Sequence, residues 1–200
     1  RRIEAEEAGK RFGVKYVVLE NHDGELLPTL ELRKDVIRLI REWNADIVIG
    51  PRPNDYHPDH RNTATVIQDA AYLVIVPNVV SDTPPLKKNP LFLYAQDRFQ
   101  KPYPFEPDIV VDISDVFDKK IYAMAAHESQ YFEWLPWTVG IEAPSGENER
   151  IEWLKSTRAR NIIPSVRQSL IKWYGEELGA NIIHAEAFEI CEYGCRPTEE

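Results

Sequence analysis

The chain has 200 residues, 43% of them apolar and 28% charged, which suits a single folded domain of ordinary size and excludes a disordered chain. Its 24 Lys and Arg stand against 33 Asp and Glu, and the formal net charge of −9 makes nucleic acid a poor partner. The longest apolar run, residues 70–76, stops at Pro77, well short of the roughly 20 residues that span a bilayer. No signal peptide or lipidation motif is visible, so the default expectation is a cytoplasmic protein.

The chain opens Arg1-Arg2-Ile3-Glu4 without an initiator Met, and its single Met is Met124, so the native start is expected upstream. Residues 1–13 read as the end of an amphipathic helix, with Ile3, Ala5, Ala8 and Phe12 on one face and Gly13 as its stop. Residues 15–20 carry Tyr-Val-Val-Leu and predict a short buried strand, and Asn21-His22-Asp23-Gly24 is a turn signal. Residues 30–44 predict a helix with Leu32, Val36, Leu39, Ile40 and Trp43 on its apolar stripe. Residues 46–50, Asp-Ile-Val-Ile-Gly, predict a strand that opens into the loop Pro51-Arg52-Pro53-Asn54-Asp55. A helical pattern follows from about residue 59 to 73.

Residues 77–90 hold four prolines and predict a long loop. Residues 91–95 and 109–113 read as strands. Ser114 is placed as the N-cap of a helix running to about residue 127. Residues 130–146 are aromatic and irregular, and residues 149–160 and 164–178 read as helices. Residues 185–190 alternate enough for a last strand. Cys191 and Cys195 are too few for a disulfide framework, lack a second pair to complete a zinc site, and read as ordinary thiols. The succession of strand, helix, strand, loop and helix predicts an α/β fold: a Rossmann-like, mostly parallel sheet with helices on both faces. In such sheets ligands bind beyond the carboxyl ends of the strands.

That position is occupied by His57-Pro58-Asp59-His60. Pro58 suits the first turn of a helix and Asp59 its positive end. Histidines three apart lie on neighbouring positions of one face, so one imidazole can meet a metal while the other serves the same reaction centre. Arg52, just past the strand, is a candidate for an anionic substrate group. His127 lies among alanines and reads as a packed histidine, and the stretch from Tyr131 to Trp137 reads as core rather than a sugar-stacking lip.

Asp55-Tyr56-His57-Pro58-Asp59-His60-Arg61 resembles the second metal motif of the LmbE/PIG-L-type deacetylases, zinc enzymes that remove acetyl groups from N-acetylglucosamine-type sugars. The surroundings agree: Arg1-x-x-Glu4 resembles the family's Arg-x-x-Glu helix, Asp23 follows the next expected strand, His127-Glu128-Ser129-Gln130 resembles a late His-x-Ser-Gln, and Glu186-Ala187-Phe188 a final Glu-x-Phe. The resemblance covers nearly the whole chain as one domain. It implies His60 as a zinc ligand, His57 as the group that stabilises the oxyanion or acts as general acid, Asp59 as the residue that orients His57, and Arg1 and Asp23 as substrate contacts.

Two departures matter. The family's first motif, His-Pro-Asp-Asp, supplies two zinc ligands and the general base and precedes the Arg-x-x-Glu helix; it does not occur in these 200 residues. The sheet's first strand is expected upstream with it, and the chain alone is expected to be inactive. Some relatives also carry a tyrosine where Asp55 stands here. The expected function is zinc-dependent deacetylation of a small N-acetylglucosamine-type conjugate, with association into a homo-oligomer. The alternatives are a non-catalytic sugar-binding or assembly module of the same fold and, more weakly, a phosphate-ester hydrolase, for which no Gly-rich phosphate loop is present.

Overall fold

A computed structural model describes residues 1–198. In chain order its elements are α1 (Arg2–Phe12), α2 (Leu30–Trp43), β1 (Ile47–Gly50), α3 (Pro58–Leu73), β2 (Leu91–Ala95), β3 (Ile109–Asp112), α4 (Phe117–Met124), α5 (Leu135–Thr138), α6 (Glu147–Arg158), α7 (Pro164–Tyr174), α8 (Glu176–Asn181) and β4 (Ala185–Ile190). They fall into two compact units. One comprises Arg1–Glu20 and Asp112–Ala185, the other Asn21–Val111 and residues 186–198.

The second unit carries the sheet, in the order β1-β2-β4-β3. β1 and β2 pair in parallel, Ile47 opposite Leu91 and Gly50 opposite Tyr94, with α3 between them in sequence as a parallel pair requires. β2 and β4 are antiparallel, with Leu93 opposite Ile190. The Asp108 N–H donates to the Phe188 carbonyl and the Ile113 N–H to that of His184, so β3 also runs against β4. The α/β class stands, but the sheet is mostly antiparallel, not mostly parallel as the element rhythm predicted. The strands themselves carry the reason. Ala185 and Ala187 alternate with less buried residues in β4, the pattern of an antiparallel strand, whereas Phe92, Leu93 and Tyr94 of β2 are continuously buried.

One face of this sheet packs on α2 and α3. Ile37 and Ile40 of α2 meet Ala70, Ala71 and Val74 of α3 over Phe92 and Tyr94 of β2. Burying a side chain such as Phe92 or Ile37 contributes roughly 1.5–3 kcal/mol. Trp43, expected on the buried stripe of α2, is more than half exposed; Arg41 takes the inward place instead. Thr29 caps α2 by accepting the Leu32 N–H, and Asn44 closes it in the left-handed conformation.

Arg41 is buried, and among the described residues no carboxylate forms an ion pair with it. Its guanidinium donates to the carbonyls of Leu73, Val74, Val76, Val79, Val80 and Thr83 at 2.7–3.0 Å. These carbonyls lie at the C-terminus of α3 and in the loop that leaves it, where a cation also complements the helix dipole; those of Leu73, Val74, Val76 and Val80 accept a backbone N–H as well. Val80, a β-branched residue at φ 51°, sits inside this cage. Burial pushes the Arg41 pKa down.

In the first unit, Gly13 ends α1 at φ 76°. Residues 15–20, expected as a buried strand, pair with no strand among the described residues. Val17 is 42% exposed there, because a strand needs a neighbour for its backbone groups. The helix predicted to start at Ser114 starts instead at Phe117, after a 3₁₀ turn. Asp112 Oδ1 accepts from both the N–H and the hydroxyl of Ser114 and fixes that turn. The helix predicted over residues 164–178 is broken at Gly175, whose φ of 85° belongs to the left-handed half of the map. The break lets α8 fold onto α7 so closely that a Cβ on Gly179 would lie 2.5 Å from the Leu170 carbonyl oxygen. Phe117 and Ile121 of α4 pack with Phe132 and with Leu154 of α6 as this unit's core.

Replacing Arg41 with Met leaves six carbonyls with one partner fewer each. We expect a loss of about 3 kcal/mol, read as a melting temperature roughly 6–12 °C lower. A change below about 1 kcal/mol would show that water replaces the guanidinium at little cost.

Candidate active site

β1 ends at Gly50, and within the next seven residues the chain turns into the N-terminus of α3. His57 is the N-cap of α3, its backbone extended at φ −86° and ψ 130°, and Pro58 fills the first helical position. The His57 imidazole itself caps the helix, since Nδ1 accepts the Asp59 N–H at 3.2 Å. A ring nitrogen that accepts an N–H carries no proton, so neutral His57 keeps its proton on Nε2 and presents a donor outward.

His60 has the opposite setting. Its Nδ1 lies 3.0 Å from Asp55 Oδ1, an oxygen that also accepts the His57 N–H at 2.8 Å. Asp55 thereby closes an Asx-type turn and faces the His60 ring at once. A carboxylate beside Nδ1 holds the proton there and leaves the Nε2 lone pair of His60 available, the arrangement that metal-ligating histidines use. The two rings lie 4.8 Å apart between centroids, tilted by 34°, and Tyr56 meets both edge-on. Arg61 braces the turn by donating to the Asp55 and Tyr56 carbonyls.

Asp59 reaches out of this turn. Its carboxylate accepts the Gly24 N–H at 2.7 Å and the Leu26 N–H at 3.2 Å, and Asn62 donates to the Leu26 carbonyl. Gly24, at φ 84°, makes the tight approach possible. Asp59 therefore orients His57 through its backbone N–H, while its carboxylate anchors the 23–26 turn. The result is a group not foreseen as a unit: Asp23, His57 and Asp59 each offer a ligand atom within 4.8 Å of the others. Nitrogen and carboxylate oxygen donors of this kind suit zinc.

Arg52, expected at the substrate, is 1% exposed. Its guanidinium donates to Asp97 Oδ1 and to the carbonyls of Phe99, Tyr103 and Pro104, and its Nε lies 3.4 Å from Glu189 Oε2. A substrate anion would have to displace these partners. Burial, opposed by Arg52, raises the Glu189 pKa.

The first unit joins two motifs that sequence reading found separately. Glu4 accepts the Ser129 N–H at 2.9 Å and its hydroxyl at 2.7 Å, and Arg1 donates to Gln130. His127, beside them, is half-buried, and that burial lowers its pKa. The expected aromatic core is divided: Tyr131 and Phe132 face inward, whereas Trp134 and Trp137 stack on each other at 5.1 Å and Trp137 is 71% exposed.

The PIG-L: GlcNAc-PI de-N-acetylase family model matches residues 1–71, the stretch that contains Asp23, Asp55, His57, Asp59 and His60. A diacetylchitobiose deacetylase of Thermococcus kodakarensis is 33% identical over 144 residues, which is 68% of this chain and 53% of that protein. Over residues 1–71 the chain matches the PIG-L family.

It spans about half the length of that curated relative. Among solved structures, N,N'-diacetylchitobiose deacetylase from Pyrococcus horikoshii superposes with a TM-score of 0.61 at 24% identity, covering 96% of this chain and 63% of that one. A conserved protein of Thermus thermophilus gives 0.61 at 22% identity, over 94% of this chain and 70% of that one. A 4-carboxy-2-hydroxymuconate hydratase from Pseudomonas putida gives 0.66 at 19% identity, over 100% of this chain and 73% of that one. These three likenesses show the fold alone, and the proteins that carry it differ in activity. Among the described residues no helix of the chain is long and apolar enough to cross a membrane.

Burial pushes the Glu4 pKa up, but the two donations from Ser129, with the N-terminal ammonium and His127 nearby, together outweigh it and leave it below its ordinary value of 4.5. A lowered carboxylate stabilises the fold above the unfolded value and loses that effect as pH falls through the folded one. Glu4→Gln should thus cost about 1 kcal/mol at pH 7, discounted for partial exposure. In thermal melts its deficit against wild type should shrink below pH 4.5; a deficit constant with pH would overturn this.

Proposed function

We propose that this chain is part of a zinc-dependent deacetylase that hydrolyses the N-acetyl group of a small N-acetylglucosamine-type conjugate. One observation carries the proposal: two histidines at the start of one helix whose Nδ1 partners differ, an N–H for His57 and a carboxylate for His60. The kinship with a diacetylchitobiose deacetylase supplies the substrate class.

In this reading His60 offers Nε2 to zinc. Asp23 supports the pocket from the 23–26 turn, and Arg1 is a substrate contact. Bound zinc would polarise the acetyl carbonyl and lower the pKa of a water. His57 directs Nε2–H at the carbonyl oxygen, where negative charge develops, and stabilises it by hydrogen bonding. The Asp59 N–H on Nδ1 fixes that ring in place. In this reading residues 1–200 by themselves release no acetate.

A second reading has a specific observation behind it: Asp23, His57 and Asp59 converge within 4.8 Å and can themselves surround a metal. It requires His57 Nδ1 to leave the Asp59 N–H, or Nε2 to give up its proton.

The test uses the full-length protein, N,N'-diacetylchitobiose and zinc. We expect acetate release, about one zinc per chain by elemental mass spectrometry, and near-complete zinc loss in His60→Ala. His57→Ala should keep its zinc and lose roughly 10²–10³ in kcat. Zinc lost in Asp23→Asn and His57→Ala but kept in His60→Ala would favour the three-residue group. No acetate from the disaccharide or from N-acetylglucosamine would overturn the deacetylase reading.

A further inference from the structure

We propose that Arg52 is a positioning residue of the His57–His60 site, acting through the 97–104 segment rather than on substrate. The inference rests on the reading of His57 and His60 as the reacting pair. Arg52 stands two residues past β1 and five before His57, so whatever fixes its backbone fixes the start of the turn that carries both imidazoles. Its side chain is fully buried, yet what surrounds it is a loop and not the apolar core. One Nη donates to Asp97 Oδ1 at 2.8 Å and to the Phe99 carbonyl at 3.4 Å; the other donates to the carbonyls of Tyr103 at 2.9 Å and Pro104 at 3.2 Å. Asp97 Oδ1 in turn accepts the Phe99 N–H at 3.0 Å. The guanidinium plane lies 4.8 Å from the Tyr103 ring centre.

Two further contacts join the same segments nearer the histidines. Asn54 Nδ2 donates to the Lys101 carbonyl at 3.0 Å, and the Phe99 ring lies 6.1 Å from that of Tyr56. Tyr56 is 74% exposed and would swing freely without that backing. Its ring meets His57 at 5.8 Å and His60 at 6.0 Å, both edge-on. A continuous set of contacts thus runs from the Arg52 fork through Phe99 and Tyr56 to the imidazoles. The fork matters because its acceptors lie in several directions at fixed spacing, which a planar guanidinium satisfies and a single ammonium does not. Burying this charge next to Asp97 and Glu189 without opening the cluster to water is costly, and a buried charge is a poor choice for strength alone. What it supplies is one fixed geometry for the segment behind the site. Displacing reacting groups by an ångström or less lowers turnover more than ground-state binding.

The experiment compares full-length wild type with Arg52→Lys. Acetate release from N,N'-diacetylchitobiose is measured together with the ring Hε1 signals of ¹³C-labelled histidine, assigned through His57→Ala and His60→Ala. We expect kcat to fall at least tenfold with KM within threefold, the His57 and His60 signals to shift or broaden, and the His184 signal to stay in place. A folded Arg52→Lys protein with wild-type His57 and His60 signals would overturn the proposal. If wild type releases no acetate, the deacetylase reading fails, while the imidazole signals still decide the positioning role. Should Arg52→Lys not fold, Asn54→Ala removes the Lys101 bond from a half-buried position; it should move the same two signals, and unmoved signals would overturn the proposal equally.

Discussion

A parallel strand that must hand over to a helix within seven residues sets the terms for this site. The chain leaves the hydrogen-bonded order of β1 at Gly50 and recovers it at Pro58, and between them it turns around one buried cation. Arg52 can be buried there only because Asp97, Glu189 and three carbonyls surround it; an unpaired guanidinium in that place would not be tolerated. The same cluster closes the 97–104 segment onto the turn. Arg41 shows the same device used for structure alone, with six carbonyls and, among the described residues, no ion-paired carboxylate.

The two histidines of one short motif differ because of what touches Nδ1. The N-cap position of His57 points its ring back at the helix N–H groups, and His60, one turn into the helix, falls beside Asp55 instead. Two environments within four residues give one outward donor and one outward lone pair. That pairing is what metal-assisted amide hydrolysis needs, and fold alone does not require it, as the likeness to a hydratase makes clear.

Much of this was legible along the chain. The continuous apolar runs of β1 and β2, the Pro at the first position of α3 and the Gly that ends α1 follow from local rules, and each element lies where those rules put it. The His-Pro-Asp-His motif and its place after a strand were legible too. What escaped were relations between distant residues: Asp59 with Gly24 and Leu26, Glu4 with Ser129, Arg52 with Asp97. Asp55 was the nearest to recognition, since an Asp two residues before a helix cap is a known turn-former. Arg52 misled because an arginine past a strand end looks alike whether it faces substrate or the interior.

The sequence by itself determined the local periods, the caps, the glycine breaks and the identity of the groups that can bind metal or move a proton, because these depend on residues within a turn or two of one another. The direction of β4, the unpaired state of residues 15–20, the burial of Arg52 and the anchoring of Asp59 to the 23–26 turn were decided only by tertiary structure. Strand partners, burial and hydrogen-bond acceptors are supplied by segments far away in sequence, and no local pattern specifies which of them will arrive.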